Sequence, residues 1–235
     1  AKKKAGPRNH SGITALYSST DLMNWELREP LWDPGMYLTH ECPDLFQIGD
    51  WWYLIYSEYS DANLTRYRMS TSLKGPWRMP KDDCFDGRAF YAAKTATDGR
   101  NRYLFGWTPT RENHLDSAAW QWGGNLTVHG VYQKPDGELG IKPPESIEKA
   151  AHVTKPFLPS TPSIADGGCY SLDARFSQAM QSFSKEPGTS YITSMKVKFE
   201  KGTQEFGILL HYNTAGDTGY TFRFFPANNE VVFDR

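Results

Sequence analysis

The run Tyr17-Ser18-Ser19-Thr20-Asp21-Leu22-Met23-Asn24-Trp25 is echoed further along the chain by Arg68-Met69-Ser70-Thr71-Ser72-Leu73-Lys74-Gly75-Pro76-Trp77. In each copy a strand-like run ends at Ser-Thr, a short polar turn carries a leucine, and a tryptophan opens the next strand. The two tryptophans are separated by about 50 positions, the length of a four-stranded propeller blade. A second pair of segments, Trp51 to Glu58 and Arg100 to Trp107, fits between and after these copies. No segment keeps a helical apolar period over the roughly 10 residues that a helix needs. The expected fold class is therefore all-β, with propeller blades as the first architecture and a long β-sandwich of similar hairpins as the competing one.

Moving outward from the repeat, the character of the chain changes after Pro135-Asp136-Gly137, a turn signal. Lys142-Pro143-Pro144 and the tract from Lys155 to Ser163, rich in Pro, Ser and Thr, read as a linker. Alternating strand patterns return at Ser190 to Phe199, Phe206 to Tyr212 and Tyr220 to Phe225, and the last residues, from Val231, also read as strand. The expected organisation is a partial propeller over 1–140, a linker over 141–165 and a partial β-sandwich over 166–235.

Composition narrows the partners. With 26 basic and 27 acidic residues, a formal charge of -1 gives no long-range pull toward nucleic acid or anionic lipid. No apolar run approaches the roughly 20 residues that span a bilayer as a helix. Neither nucleic acid nor a membrane is expected as a partner, and a neutral substrate fits best. Aromatic residues make up 14% of the chain, which supplies packing for sheets and also flat apolar faces on which sugar rings stack. Three cysteines, Cys42, Cys84 and Cys169, form no even framework, so free thiols are expected. The six histidines show no metal spacing, and no phosphate loop, dinucleotide fingerprint or nucleophile elbow occurs, so no metal or cofactor is expected.

The chemistry concentrates in Thr39-His40-Glu41-Cys42-Pro43-Asp44-Leu45-Phe46, which runs into the aromatic strand Trp51 to Glu58. Pro43 lacks the N–H a ladder needs and holds Cys42 extended, which predicts Glu41 on an edge strand or at a strand end. A glutamate facing a ligand among aromatic rings is a candidate general acid. Glycoside hydrolysis also requires a second carboxylate, about 5 Å away for retention and further for inversion. Asp44, three residues along the turn, reads as a residue that caps backbone N–H groups; Glu58 and Asp86 remain as candidates without a marking context. In Phe85-Asp86-Gly87-Arg88, a tight Asp-Gly turn is expected to present Asp86 and Arg88 together, either to sugar hydroxyls or as a solvated ion pair. His40, beside Glu41, is placed to orient the acid or touch substrate.

At Glu41-Cys42-Pro43-Asp44 the chain resembles the invertase and fructanase family of glycoside hydrolases, family 32. The likeness extends to Asp21-Leu22 with Trp25, to Phe85-Asp86 through Tyr91-Ala92-Ala93-Lys94-Thr95, and to Arg102-Tyr103-Leu104-Phe105-Gly106-Trp107, in the family's order over about residues 10–140. The resemblance implies a five-bladed propeller backed by a β-sandwich and a retaining reaction on β-fructofuranosides. It implies Glu41 as the general acid/base, Cys42 as a neighbour that tunes the acid, Asp86 near the leaving-group sugar and Trp107 in the pocket wall. The family's nucleophile motif "N-D-P-N-G" and its "R-D-P" motif do not occur here; Arg28-Glu29-Pro30 falls after the Asp21-Leu22 hairpin instead of before it. On that pattern the chain is expected to begin partway through the third blade, and to be completed by further N-terminal sequence or by another chain. The expected function is cleavage of β-fructofuranosides such as sucrose, fructans or fructo-oligosaccharides. The alternatives are a non-catalytic carbohydrate-binding propeller and a structural interaction propeller.

Overall fold

A computed structural model of the chain describes residues 9–59, 62–115, 117–151, 165–166, 169–176, 178–183, 190–213 and 218–234. The chain divides into two units, Ala1–Lys149 and Ala150–Arg235. The first opens with a hairpin of β1 (Thr14–Ser18) and β2 (Glu26–Trp32). One four-stranded antiparallel sheet follows, made of β3 (His40–Ile48), β4 (Trp51–Glu58), β5 (Leu64–Ser70) and β6 (Cys84–Phe85). A second is made of β7 (Tyr91–Thr97), β8 (Arg102–Arg111), β9 (Trp120–Gln133) and β10 (Leu139–Lys142). In both sheets strands adjacent in sequence are adjacent in space, the up-and-down order of a blade. The fold is all-β. The short helix α1 (Glu145–Ala150) stands at the division between the units. Two boundaries differ from the sequence reading: β10 runs on to Lys142, and α1 occupies part of the expected linker. The tract from Lys155 to Ser163 lies outside the described residues.

The echoed turns are explained by their hydrogen bonds. Asp21 Oδ1 accepts from the backbone N–H of Met23 (2.9 Å) and of Asn24 (2.8 Å), which closes the β1–β2 turn and holds the carboxyl below the usual carboxylate range. In the second copy the Trp77 indole N–H donates to Leu31 O at 3.3 Å, lacing the turn after β5 to β2.

The sheet β3–β6 is packed on both faces, and the two faces differ in kind. Tyr53, Ile55, Tyr67, Met69 and Phe46 join Phe90, Ala93, Leu104, Val131 and Leu139 in one apolar core between the sheets. Full burial of such side chains contributes roughly 1.5–3 kcal/mol each. The two tyrosines keep their polar tips satisfied at the far edge of β7–β10: Tyr53 O–H donates to Gly137 O (2.5 Å), and Tyr67 Oη accepts from Leu139 N–H (3.0 Å). Gly137 has φ of +86° and a Cβ there would stand 2.5 Å from the Trp51 indole, so this turn requires glycine twice over. On the opposite face Arg66 and Arg68 both donate to Asp83, at 2.6 Å each, and Glu58 lies 3.7 Å from Arg66 Nε. The Arg68 guanidinium lies over Trp32 (5.3 Å) and Tyr56 (5.5 Å).

In the second unit the two-residue strands β11 (Ala165–Asp166) and β12 (Cys169–Tyr170) pair with each other. A three-stranded antiparallel sheet follows, β13 (Phe206–Asn213), β14 (Thr218–Phe225) and β15 (Glu230–Asp234). Its register sets Phe206 against Phe224, Ile208 against Phe222 and Leu210 against Tyr220, giving one apolar face. Ser190 to Phe199, expected as a strand, joins no ladder among the described residues. Its alternation is present in sequence, but a strand also needs a partner.

Candidate active site

Glu41 is the second residue of β3, on the outer edge of its sheet, where Pro43 requires it to be. It pairs with Ser57 and Asp44 pairs with Ile55, so β3 carries one extra residue at Cys42-Pro43. Cys42 takes φ of +48° in this bulge. β7 repeats the device: Tyr91 pairs with Trp107 and Lys94 with Phe105, leaving one extra residue, and Ala92 takes φ of +53°.

The two bulged strands are stitched together. Asp44 Oδ2 accepts from Thr95 N–H (2.7 Å) and Thr95 O–H (2.6 Å), and the Lys94 ammonium donates to Pro43 O at 2.5 Å. Arg102 donates to Thr95 Oγ1 (2.7 Å) while lying 4.2 Å over the Phe46 ring. Asp44 thus caps backbone, as its turn position suggested, and does so across two sheets.

With the strands joined, Glu41 Oε2 accepts a hydrogen bond from the Tyr91 hydroxyl at 3.0 Å and Oε1 accepts from Thr39 Oγ1 at 3.4 Å. Burial and the Glu41 carboxylate push the Tyr91 phenol well above its ordinary range, so it remains a donor at any working pH. Glu41, Tyr59, Tyr91, Ala92, Trp107 and Trp122 line an open cavity of about 370 Å³. Trp122 lies 5.7 Å from Tyr91 and 6.1 Å from Trp107, tilted 30° to the latter, so aromatic walls face one carboxylate. Glu41 is the single carboxylate among the six.

The other expected site residues separate. Trp107 lines the cavity with Glu41. His40 is fully buried on the opposite face of β3, stacked on Trp32 at 5.0 Å and close to Tyr56 at 4.7 Å, so it cannot touch a ligand in the cavity. Successive strand residues point to opposite faces, which separates His40 from Glu41. Burial pulls the His40 imidazole down to about 4, leaving it neutral. Asp86 and Arg88 do not act together: Asp86 Oδ2 is held by His129 Nε2 at 2.8 Å, and the Arg88 guanidinium lies 5.9 Å over Trp120. Cys42 is half-buried with a free thiol at the bulge. Tyr59, Trp122 and His129 were not singled out by the sequence; the alternation Trp120-Gln121-Trp122 was the one available signal. Among the described residues no group of three or more His, Cys, Asp or Glu is arranged to hold a metal.

Comparison with known proteins decides the family, for residues 4–131 match the profile of the glycosyl hydrolases family 32 N-terminal domain. The chain belongs to glycoside hydrolase family 32. A raffinose invertase of Escherichia coli is 27% identical over 166 residues, 63% of this chain and 34% of that protein. A sucrose-6-phosphate hydrolase of Zymomonas mobilis is 25% identical over 224 residues, 84% of this chain and 43% of that protein. A solved family-32 β-fructofuranosidase of Bombyx mori aligns at 24% identity and a TM-score of 0.47, over 62% of this chain and 34% of that one. This family-32 chain therefore spans less than half the length of each of these relatives.

Proposed function

We propose that this chain supplies the acid/base side of a retaining glycosidase acting on β-fructofuranosides, with the nucleophile on sequence beyond these residues. The observation that carries the reading is Glu41, hydrogen-bonded by Tyr91 and facing a cavity walled by Trp107 and Trp122. Glu41 first gives its proton to the leaving oxygen and then takes one from the water that releases fructose. The aromatic walls suit the apolar faces of sugar rings, and the relatives named for raffinose and sucrose-6-phosphate support a sucrose-like substrate. Asp86, held by His129, is the candidate to bind the leaving-group sugar.

The test is fructose release from sucrose and short inulin by the protein extended to its full coding sequence, beside its Glu41→Gln variant. Loss of a general acid is expected to lower kcat about 10²–10⁴-fold. Release that survives the substitution at full rate would remove Glu41 from the mechanism. Glu41 is the single carboxylate among the described residues that line the cavity, and this favours one other reading, a sugar-binding module. Saturable quenching of tryptophan fluorescence by fructosides, without turnover by the protein extended to its full coding sequence, would establish that alternative.

A further inference from the structure

Ser57 on β4 and Thr65 on β5 stand directly opposite each other, and both are fully buried. The register places Glu41 opposite Ser57, so Glu41, Ser57 and Thr65 form one row across the sheet. Ser57 Oγ accepts from Ala92 N–H at 2.9 Å, Ser57 Oγ and Thr65 Oγ1 are 3.2 Å apart, and Thr65 O–H donates to Phe90 O at 2.8 Å. A hydroxyl has one proton to give. Because Thr65 spends its proton on Phe90, the proton between the two side chains belongs to Ser57. The hydrogen bonds therefore run in one direction, from Ala92 N–H through Ser57 and Thr65 to Phe90 C=O.

The two ends of this chain of hydroxyls grip the backbone on either side of Tyr91. Ala92 is a non-glycine residue at φ of +53°, a left-handed conformation that a side chain disfavours and that needs support from its surroundings. Removing the Ser57 hydroxyl would strand the Ala92 N–H in the bulge and remove that support. We propose that Ser57 and Thr65 are positioning residues that fix the β7 bulge so that the Tyr91 hydroxyl meets Glu41. The inference rests on the reading of Glu41 as the acid, but the geometry it concerns is measurable without turnover.

The experiment uses the chain labelled with ¹³Cζ-tyrosine, the Tyr91 resonance being assigned with Tyr91→Phe. Thr65→Val, which keeps shape and removes the hydroxyl, and Ser57→Ala are expected to shift that resonance and bring its ionisation to lower pH. Thr65→Ser should restore the unmodified signal, and Ile55→Val, a packing change on the same strand, should leave it unmoved. Folded Thr65→Val and Ser57→Ala proteins with an unmodified Tyr91 signal overturn the inference. Should either variant fail to fold, amide exchange in the unmodified chain decides: the Ala92 N–H is expected to exchange slowly, and exchange at the rate of an open loop overturns the proposal. In the fructose-releasing protein the same variants should lower kcat about 10- to 100-fold with a changed pH profile, as misplacement of a reacting group does. A Tyr91 response without fructose release by the protein extended to its full coding sequence would sink the functional reading and leave the positioning role standing.

Discussion

The sheets β3–β6 and β7–β10 carry the same one-residue bulge on their first strands, yet they are buried differently. β4 and β5 are covered on both faces, by apolar packing toward β7–β10 and by the arginine cluster on the other side. In β9 the run from Gln121 to Leu126 is exposed, and Trp122 remains 43% accessible. Glu41 therefore hangs from the more buried of these two sheets, while Trp122 comes from the more open one. Cohesion and exposure are thereby divided between two elements of similar architecture, and buried sheets resist local opening more than exposed ones.

That division can be broken first at Arg68. Arg68→Met leaves Asp83 with one arginine fewer in a buried cluster and is expected to cost about 3–5 kcal/mol, read from urea unfolding. A loss equal to that of an exposed pair would mean the polar face contributes little cohesion. His40 tests the same face through pH. Its imidazole is held neutral, with the pKa depressed from 6.5 to about 4 by burial, so between these values the unfolded chain binds the extra proton. Its contribution is present above pH 6.5 and is lost as pH falls toward 4; the urea midpoint should follow, and His40→Phe should flatten that slope.

The β7–β10 sheet responds at its own contact with the core. A Cβ at Gly106 would lie 2.5 Å from the Phe90 ring, so Gly106→Ala is expected to cost about 1–3 kcal/mol in the same assay. Trp122→Ala should be the mildest for stability, within about 0.5 kcal/mol, while raising KM several-fold or weakening fructoside binding. A change in melting without a change in binding would place Trp122 in the scaffold and erase the contrast between the sheets.

Much of this architecture was legible before the structure. Pro43 marked the edge, Asp21 and Leu22 marked a hairpin turn, and the aromatic run from Trp51 marked a strand. Glu41 stood out because proline and aromatic residues flank it. What stayed hidden depends on pairings between distant strands. His40 was read with Glu41 because they are neighbours in the chain, but strand alternation sends them to opposite faces. Asp86 was read with Arg88 for the same reason, and its observed partner, His129, comes from β9. No local pattern announces that a bulge at Ala92 will deliver a tyrosine to a carboxylate on another sheet.

The contact between Tyr91 and Glu41 joins positions 50 residues apart, and the Asp44–Thr95 stitch joins positions 51 apart. During synthesis β3–β6 can pair as soon as its own strands exist, since its hairpins are local. Glu41 acquires its tyrosine only after a further sheet has been made and docked, because distant pairings come late. A nascent chain that halts between the two sheets would carry Glu41 without its hydrogen-bond donor, so this carboxyl is completed last among the parts of its own blade.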